Sequence, residues 1–313
     1  MSTLRDRLLS LNHIALDVYN DDPYYILHAF SASPIWSIEL YHAIVTFDPE
    51  KHHLSYSNLT NIVIDDTTLQ LVIDILSTST SLQSAKFVLH QTVNVGKVFI
   101  PPLLHLRNLD LDMRVQHYSH DDYTNFTNLL NCPALTSLTF GMPVDFRSVI
   151  MKPNMMYFRQ ALTAFVKRSP GIRSFYLGYT EFDNEDVFGI LKEMRELVLL
   201  SVAMTKSLNT WFMEVLGVGW PVPKLKELRL DWYSKGFDWD AWREMLLCRW
   251  TMKCSLGSAY LEIRRGCVPE DVRNWVRDRQ QEGKAVRILC KHDATLEFYR
   301  YRVQERIGQF LAT

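Results

Sequence analysis

The chain is poor in the residues and runs that mark chemistry, and each shortage excludes a class of function. Its five cysteines, Cys132, Cys248, Cys254, Cys267 and Cys290, are odd in number. They form no C-x-x-C pair and no Cys/His spacing suited to zinc, so neither a disulfide framework nor a metal site is expected. They read instead as buried, reduced thiols of a cytoplasmic or nuclear protein. Glycine is equally thin, at 12 in 313 residues, and no phosphate-cradling loop is built from it. Gly217-Val218-Gly219-Trp220 starts like a dinucleotide fingerprint, but it lacks the third Gly, and Pro221 and Pro223 follow where a helix would open. There is no G-x-S-x-G, no H-E-x-x-H and no P-loop. Catalytic, cofactor-binding and metal-ligating residues are therefore all expected to be absent.

Charge of one sign is missing too. Lys and Arg number 34 against 35 Asp and Glu, a net charge of −1, so no overall field draws in a polyanion, and nucleic acid is not an expected partner. Apolar runs are short: residues 197–204 make one of them, well under the ~20 residues of a membrane span. Met1-Ser2-Thr3-Leu4-Arg5-Asp6-Arg7 is followed by no signal-peptide core. A soluble chain acting in the cytoplasm or nucleus is the expectation.

What the chain has is a repeat. The pattern L-x-x-L-x-L, with any apolar residue at the L positions, recurs nine times. The copies are Ile35/Ile38/Leu40, Leu59/Ile62/Ile64, Leu82/Ala85/Phe87, Leu106/Leu109/Leu111, Leu135/Leu138/Phe140, Ile172/Phe175/Leu177, Leu197/Leu200/Val202, Leu225/Leu228/Leu230 and Leu256/Ala259/Leu261. First positions at 35, 59, 82, 106, 135, 172, 197, 225 and 256 lie 23 to 37 residues apart. Most of these intervals fall in the range of about 20–29 residues seen in leucine-rich repeats. The last two apolar positions of a copy are two residues apart and share one face of a short strand. One such strand cannot bury that face alone, but nine side by side form a parallel sheet with a continuous core.

Parallel neighbours need return crossings. Segments 67–77, 121–131, 157–168, 184–196, 208–216 and 240–251 carry apolar residues at three- and four-residue spacing, and several open on a capping Thr, Asp or Asn. Residues 90–104 contain Pro101-Pro102 and show no helical period, which predicts an irregular return. A doubly wound sheet would require longer, wholly apolar strands and Gly-rich turns, and neither is present. The predicted fold is α/β: a leucine-rich-repeat solenoid with a curved parallel sheet on its concave side and helices or irregular returns on its convex side. Its predicted divisions are an N-terminal helical cap over 1–34, with helices at 4–16 and 22–31, the solenoid over 35–290, and a capping helix over 291–313.

Three phrases carry a family likeness: NLLNCPALTSLTF (128–140), FVKRSPGIRSFYL (165–177) and LKELRLD (225–231). In the first two a helix ends, a Pro breaks it and an L-x-x-L-x-L strand begins. With the tail DVRNWVRDRQQEGKAVRIL (271–289), a helix, a Gly and a last short strand, they resemble the repeat domain of fungal F-box proteins of the divergent class found in mushroom-forming species. The likeness is one of rhythm and covers roughly 35–289. It implies a non-enzymatic substrate-recognition protein that presents targets to a ubiquitin ligase, with ligase adaptor and cullin subunits as partners where an F-box is present. No Leu-Pro phrase typical of an F-box stands before Ile35, so 1–34 is a cap or a degenerate remnant of that module. A free-standing repeat scaffold is the alternative, and an enzyme of unrecognised chemistry a third.

The partner surface follows from strand alternation. Residues between the strand leucines face the concave side, among them Asp110, Asp112, Tyr176, Arg229 and Asp231. Trp232 and Tyr233 come directly after Leu225–Leu230, at the predicted rim, where aromatic groups serve as binding anchors. Asp110, Asp112, Tyr176, Arg229, Asp231, Trp232 and Tyr233 form the predicted protein-binding site. Trp242, Met245, Leu246 and Trp250 share a helical face and are assigned to the core. The densest group of metal-ligand types, His117-Tyr118-Ser119-His120-Asp121-Asp122, reads as the capped start of a helix.

Overall fold

A computed structural model of the chain describes residues 12–17, 35–41, 56–91, 99–113, 120–141, 155–180, 182–204, 210–232, 237–251, 256–264 and 267–290. Eleven short strands run through it: β1 (His13–Asp17), β2 (Ser37–Tyr41), β3 (Asn61–Thr68), β4 (Ser84–Gln91), β5 (Asn108–Met113), β6 (Ser137–Gly141), β7 (Ser174–Thr180), β8 (Leu199–Met204), β9 (Glu227–Trp232), β10 (Ser258–Ile263) and β11 (Ala285–Cys290). They form one open sheet in which strand order equals chain order, and every pairing is parallel. Seven helices alternate with them: α1 (Leu69–Thr78), α2 (His120–Leu129), α3 (Met155–Arg168), α4 (Asn184–Leu191), α5 (Thr210–Gly217), α6 (Trp239–Thr251) and α7 (Glu270–Gln281). The predicted returns correspond to α1 through α6, shifted at their ends by a few residues. The described part of the 90–104 return, from Phe99 onward, holds no helix.

The repeat phasing is visible in burial. All nine leucine triplets are buried, Ile35 at 6% exposure being the most accessible of them. Register explains why: second positions stand directly opposite one another in an unbroken row from Ile38 to Ala259, and third positions do so from Leu40 to Leu261. Each leucine thus touches its counterpart in the next coil, and the core is a single cluster that also takes in the inner faces of the helices. The strand residues between them are mostly half-buried, as on Ser37-Glu39-Tyr41 of β2 and Glu227-Arg229-Asp231 of β9.

First positions do not lie on a strand. The Leu82 N–H donates to Ser79 O, Leu106 to Leu103 O, Leu135 to Cys132 O, Ile172 to Ser169 O, Leu197 to Met194 O and Leu225 to Val222 O. The residue three before each of these six is itself buried, so these coils enter their strands through the same tight turn. After the turn comes a second regular device. The carbonyl just ahead of one strand accepts two successive N–H groups of the next coil, as Thr136 O does from Arg173 (2.8 Å) and Ser174 (3.0 Å). This double acceptance recurs from Asn12 O to Lys226 O and holds the coils in register where the strands begin.

Helix starts follow local chemistry. Thr68 Oγ1 accepts the Leu71 N–H (3.3 Å) ahead of α1, and Asp183 and Asp186 exchange side-chain and backbone hydrogen bonds in a capping box at α4. Helix ends are tied by the next coil. Arg168, closing α3, donates to the carbonyls of Thr127, Asn128 and Leu130 at the end of α2. Arg249 of α6, wholly buried, donates to Leu216 O of α5 and to Val222 O. An Arg from one return thus satisfies the carbonyl ends that its neighbour leaves open.

Two expectations need correction. His13–Asp17 is a strand, paired parallel with β2 through Ile14 opposite Ile38, so it does not belong to a helix over 4–16. The alternation Ile14/Leu16 has period two, which a neighbouring strand can use and a helix cannot. The cysteines are also not uniformly buried: Cys132 is, Cys248 and Cys290 are half-buried, and Cys267 is exposed. Residues 22–31, 291–313, His52-His53 and Tyr233 lie outside the described residues. No helix among the described residues is long and apolar enough to cross a membrane.

Candidate protein-binding face of the sheet

The face of the sheet turned away from the helices is a grid of polar rows. Register places Asp110, Thr139, Tyr176, Ser201 and Arg229 in one row across β5 to β9. The next row, toward the strand C-termini, carries Asp112 opposite Gly141 on one side. On the other it runs through Gly178, Ala203, Asp231 and Glu262. Five of the seven predicted site residues, Asp110, Asp112, Tyr176, Arg229 and Asp231, therefore share this face.

Tyr176 is its centre. Its ring leans along β7 over Gly178, so close that a Cβ built there would lie 2.9 Å from the ring. That is the reason for a glycine inside a strand: any side chain would displace the ring. Burial pushes the Tyr176 hydroxyl above its ordinary range, and the carboxylates of Asp231, Asp112 and Asp110 push it further. Arg264 opposes them. One neutral phenol is thus set among three carboxylates contributed by β5 and β9. Gly141 plays a related part, since a Cβ there would come within 3.2 Å of Asp112 Oδ1.

The cations are held by neighbours. Arg229 Nε donates to Glu227 Oε1 (2.6 Å), one register position away on the same strand face. Arg264, just past β10, reaches back to Asp231 (3.2 Å) and to Glu262 (3.2 Å), and Tyr260 donates to Glu262 Oε2 (3.3 Å). At the other end Tyr41 donates to Glu39 Oε2 (2.7 Å), and burial, then Glu39 and Asp65, raise its pKa to about 12. The result is a salt-bridged surface of donors and acceptors. Among the described residues no group of three or more His, Cys, Asp or Glu could hold a metal.

Trp232 is a correction. It is 3% exposed, continues the Leu228/Leu230 parity into the core and packs against Phe237 with ring centroids 4.9 Å apart. A residue two beyond Leu230 must share its face, so the same alternation that exposes Asp231 buries Trp232. It cannot anchor a partner. Arg264, Glu262 and Gly178 are members of the face that the repeat pattern left out. Arg264 and Glu262 were missed because their roles come from side chains reaching across strands, whereas Gly178, a lone glycine inside a strand pattern, was a readable signal.

Trp242, Met245 and Leu246 are buried as expected, and Trp250 packs half-buried on the same cluster, stacked on Trp275 at 6.0 Å. Phe188, Trp211 and Trp220 form a separate aromatic group on the helix side, where Trp220 is 60% exposed. Cys132 is packed under α3, and burial raises its thiol to about 12, which makes it an inert packing group. No family model matches the chain, and no curated protein matches it.

Proposed function

We propose that the chain is a leucine-rich-repeat solenoid that acts without catalysis, binding a protein partner on the concave, helix-free face of its sheet around Tyr176. The observation that carries this reading is the set of in-register polar rows on that face, polarised by Asp110, Asp112, Asp231 and Arg264 about one desolvated phenol. A sheet face bearing a rigid aromatic group among fixed charges offers specificity and little else, which is the task of a recognition surface. The rhythm of the repeat phrases extends the reading to substrate recognition for a ubiquitin ligase, with adaptor and cullin subunits as further partners.

One observation favours the second reading, a free-standing repeat scaffold. Part of the N-terminal segment that an F-box remnant would occupy contributes β1 to the sheet instead. Affinity purification of the tagged full chain separates the two: ligase adaptor and cullin subunits are recovered in the first case and not in the second. A parallel purification with Tyr176→Ala and Arg229→Ala combined tests the face itself. Neither side chain belongs to the leucine core, so folding should persist by circular dichroism while the co-purifying partner is lost. A partner retained at wild-type level rejects this placement.

A further inference from the structure

The rim where the strands begin carries a second charge pattern. The residue just ahead of each strand, whose carbonyl makes the double acceptance described above, is Arg107 before β5, Thr136 before β6, Arg173 before β7, Val198 before β8 and Lys226 before β9, and Gly257 holds the same position before β10. Lys284 stands ahead of β11, at the position after Gly257. From β5 to β11 every second coil therefore places a cation at the same height, and the coils between contribute Thr, Val and Gly; ahead of β1 to β4 the position holds Asn12, Trp36, Thr60 and Gln83. Arg107, Arg173 and Lys226 are exposed and, among the described residues, have no acidic partner. Lys284 sits over the Trp250 ring, 5.5 Å from its centroid. The acids of the rim are already neutralised: Glu196 by Lys224 (2.6 Å), Glu227 by Arg229 and Glu282 by Arg279 (2.7 Å). Between Arg173 and Lys226 lies a cavity of about 310 Å³, also lined by Glu196, Val198, Pro223 and Lys224.

We infer that this rim is a docking surface for an acidic, extended segment of a partner protein. Three cations without an acidic partner among the described residues, on a chain of net charge −1, are a local demand for carboxylates, not a field for a polyanion at large. Their spacing selects the occupant's shape. Cations on alternate strands of a parallel sheet stand about 9.5 Å apart. A polyproline II segment rises about 3.1 Å per residue with three residues per turn, so Asp or Glu at every third position falls on one side at about 9.3 Å. The three cations then face three carboxylates in step, the middle and last of them flanking the cavity. Nucleic acid fits poorly, because no exposed aromatic ring stands among the rungs from Arg107 to Lys226 for bases to stack on. The rim lies at the opposite strand end from Asp112 and Asp231, so the inference stands apart from the concave-face reading.

The test uses the full chain and a labelled twelve-residue peptide with Glu at every third position in a Pro/Ala background, followed by fluorescence anisotropy. Binding is expected, weakening as salt rises, and lost by at least about tenfold in the triple variant Arg107→Gln, Arg173→Gln, Lys226→Gln. All three side chains are exposed, and an unchanged thermal transition confirms that the variant is folded. Tyr176→Ala, which removes no partner of a rim acid, should leave peptide binding intact. No binding, equal binding of a peptide with Gln for Glu, or equal binding when the glutamates are respaced to every second position each overturns the inference. So does tighter binding of a single-stranded oligonucleotide of matched charge.

Discussion

A single step along β9 separates Asp231, a half-buried charge on the sheet's outer face, from Trp232, a ring in the core. Side chains on a strand alternate between faces, so adjacency in sequence says nothing of shared exposure. Trp232 brings its Nε1 into the core without a hydrogen-bond partner, a cost that its contact with Phe237 and the neighbouring coil offsets. Trp232→Ala should then behave as a cavity-forming change and lower stability by about 3–5 kcal/mol, read from urea unfolding. Its partner binding, measured below the new transition, should match wild type. A variant of native stability that has lost its partner would return Trp232 to the surface.

Elements here are joined through their ends. Asp238 illustrates this: its carboxylate accepts the Ala241 N–H (2.9 Å) at the start of α6 and also the hydroxyl of Thr210 (2.5 Å), the first residue of α5. One side chain caps one helix and pins the start of the previous one. These hydrogen bonds, the Ala241 N–H first, hold the Asp238 pKa below its ordinary 3.8, although the group is largely exposed. For an acid so shifted, the contribution to stability is complete above the unfolded-state pKa and disappears as pH falls through the lower folded-state value. Asp238→Ala should cost about 0.5–2 kcal/mol at neutral pH, typical of a lost N-cap, and the gap to wild type should narrow below pH 3.8 in thermal melts taken down the pH scale. A gap constant with pH would mean that the cap acts without its charge.

At the scale of the molecule, each coil meets only its neighbours in the sheet, since strand order is chain order. Stability is then close to a sum of coil and interface contributions, and damage stays local. Leu138 lies in β6, fully buried between Leu109 and Phe175. Leu138→Ala should cost about 2–5 kcal/mol and raise amide exchange across β5, β6 and β7 while leaving β1 and β11 near wild type. Uniform loss of protection along all eleven strands would show a single cooperative unit instead. Coils in register turn nine separate six-residue phrases into continuous rows across the sheet.

The leucine spacing determined by itself that short parallel strands stack in chain order, because an apolar face two residues long can be buried only by copies of itself. It also placed six of the seven α-helices among the described residues, through three- and four-residue periods, and put five of the seven residues named for a partner site on one side of the sheet. What it could not determine depends on contacts between coils. His13–Asp17 extends the sheet because an existing strand edge offers it hydrogen bonds, although it does not carry the repeat phrase. Arg264 joins the face because Asp231 and Glu262, from two different strands, converge on it. The basic rim exists only once Arg107, Arg173 and Lys226, more than fifty residues apart in turn, are brought to one height by the carbonyl ladder. Periodicity along a chain fixes which face a residue takes; only packing decides which distant residues share it.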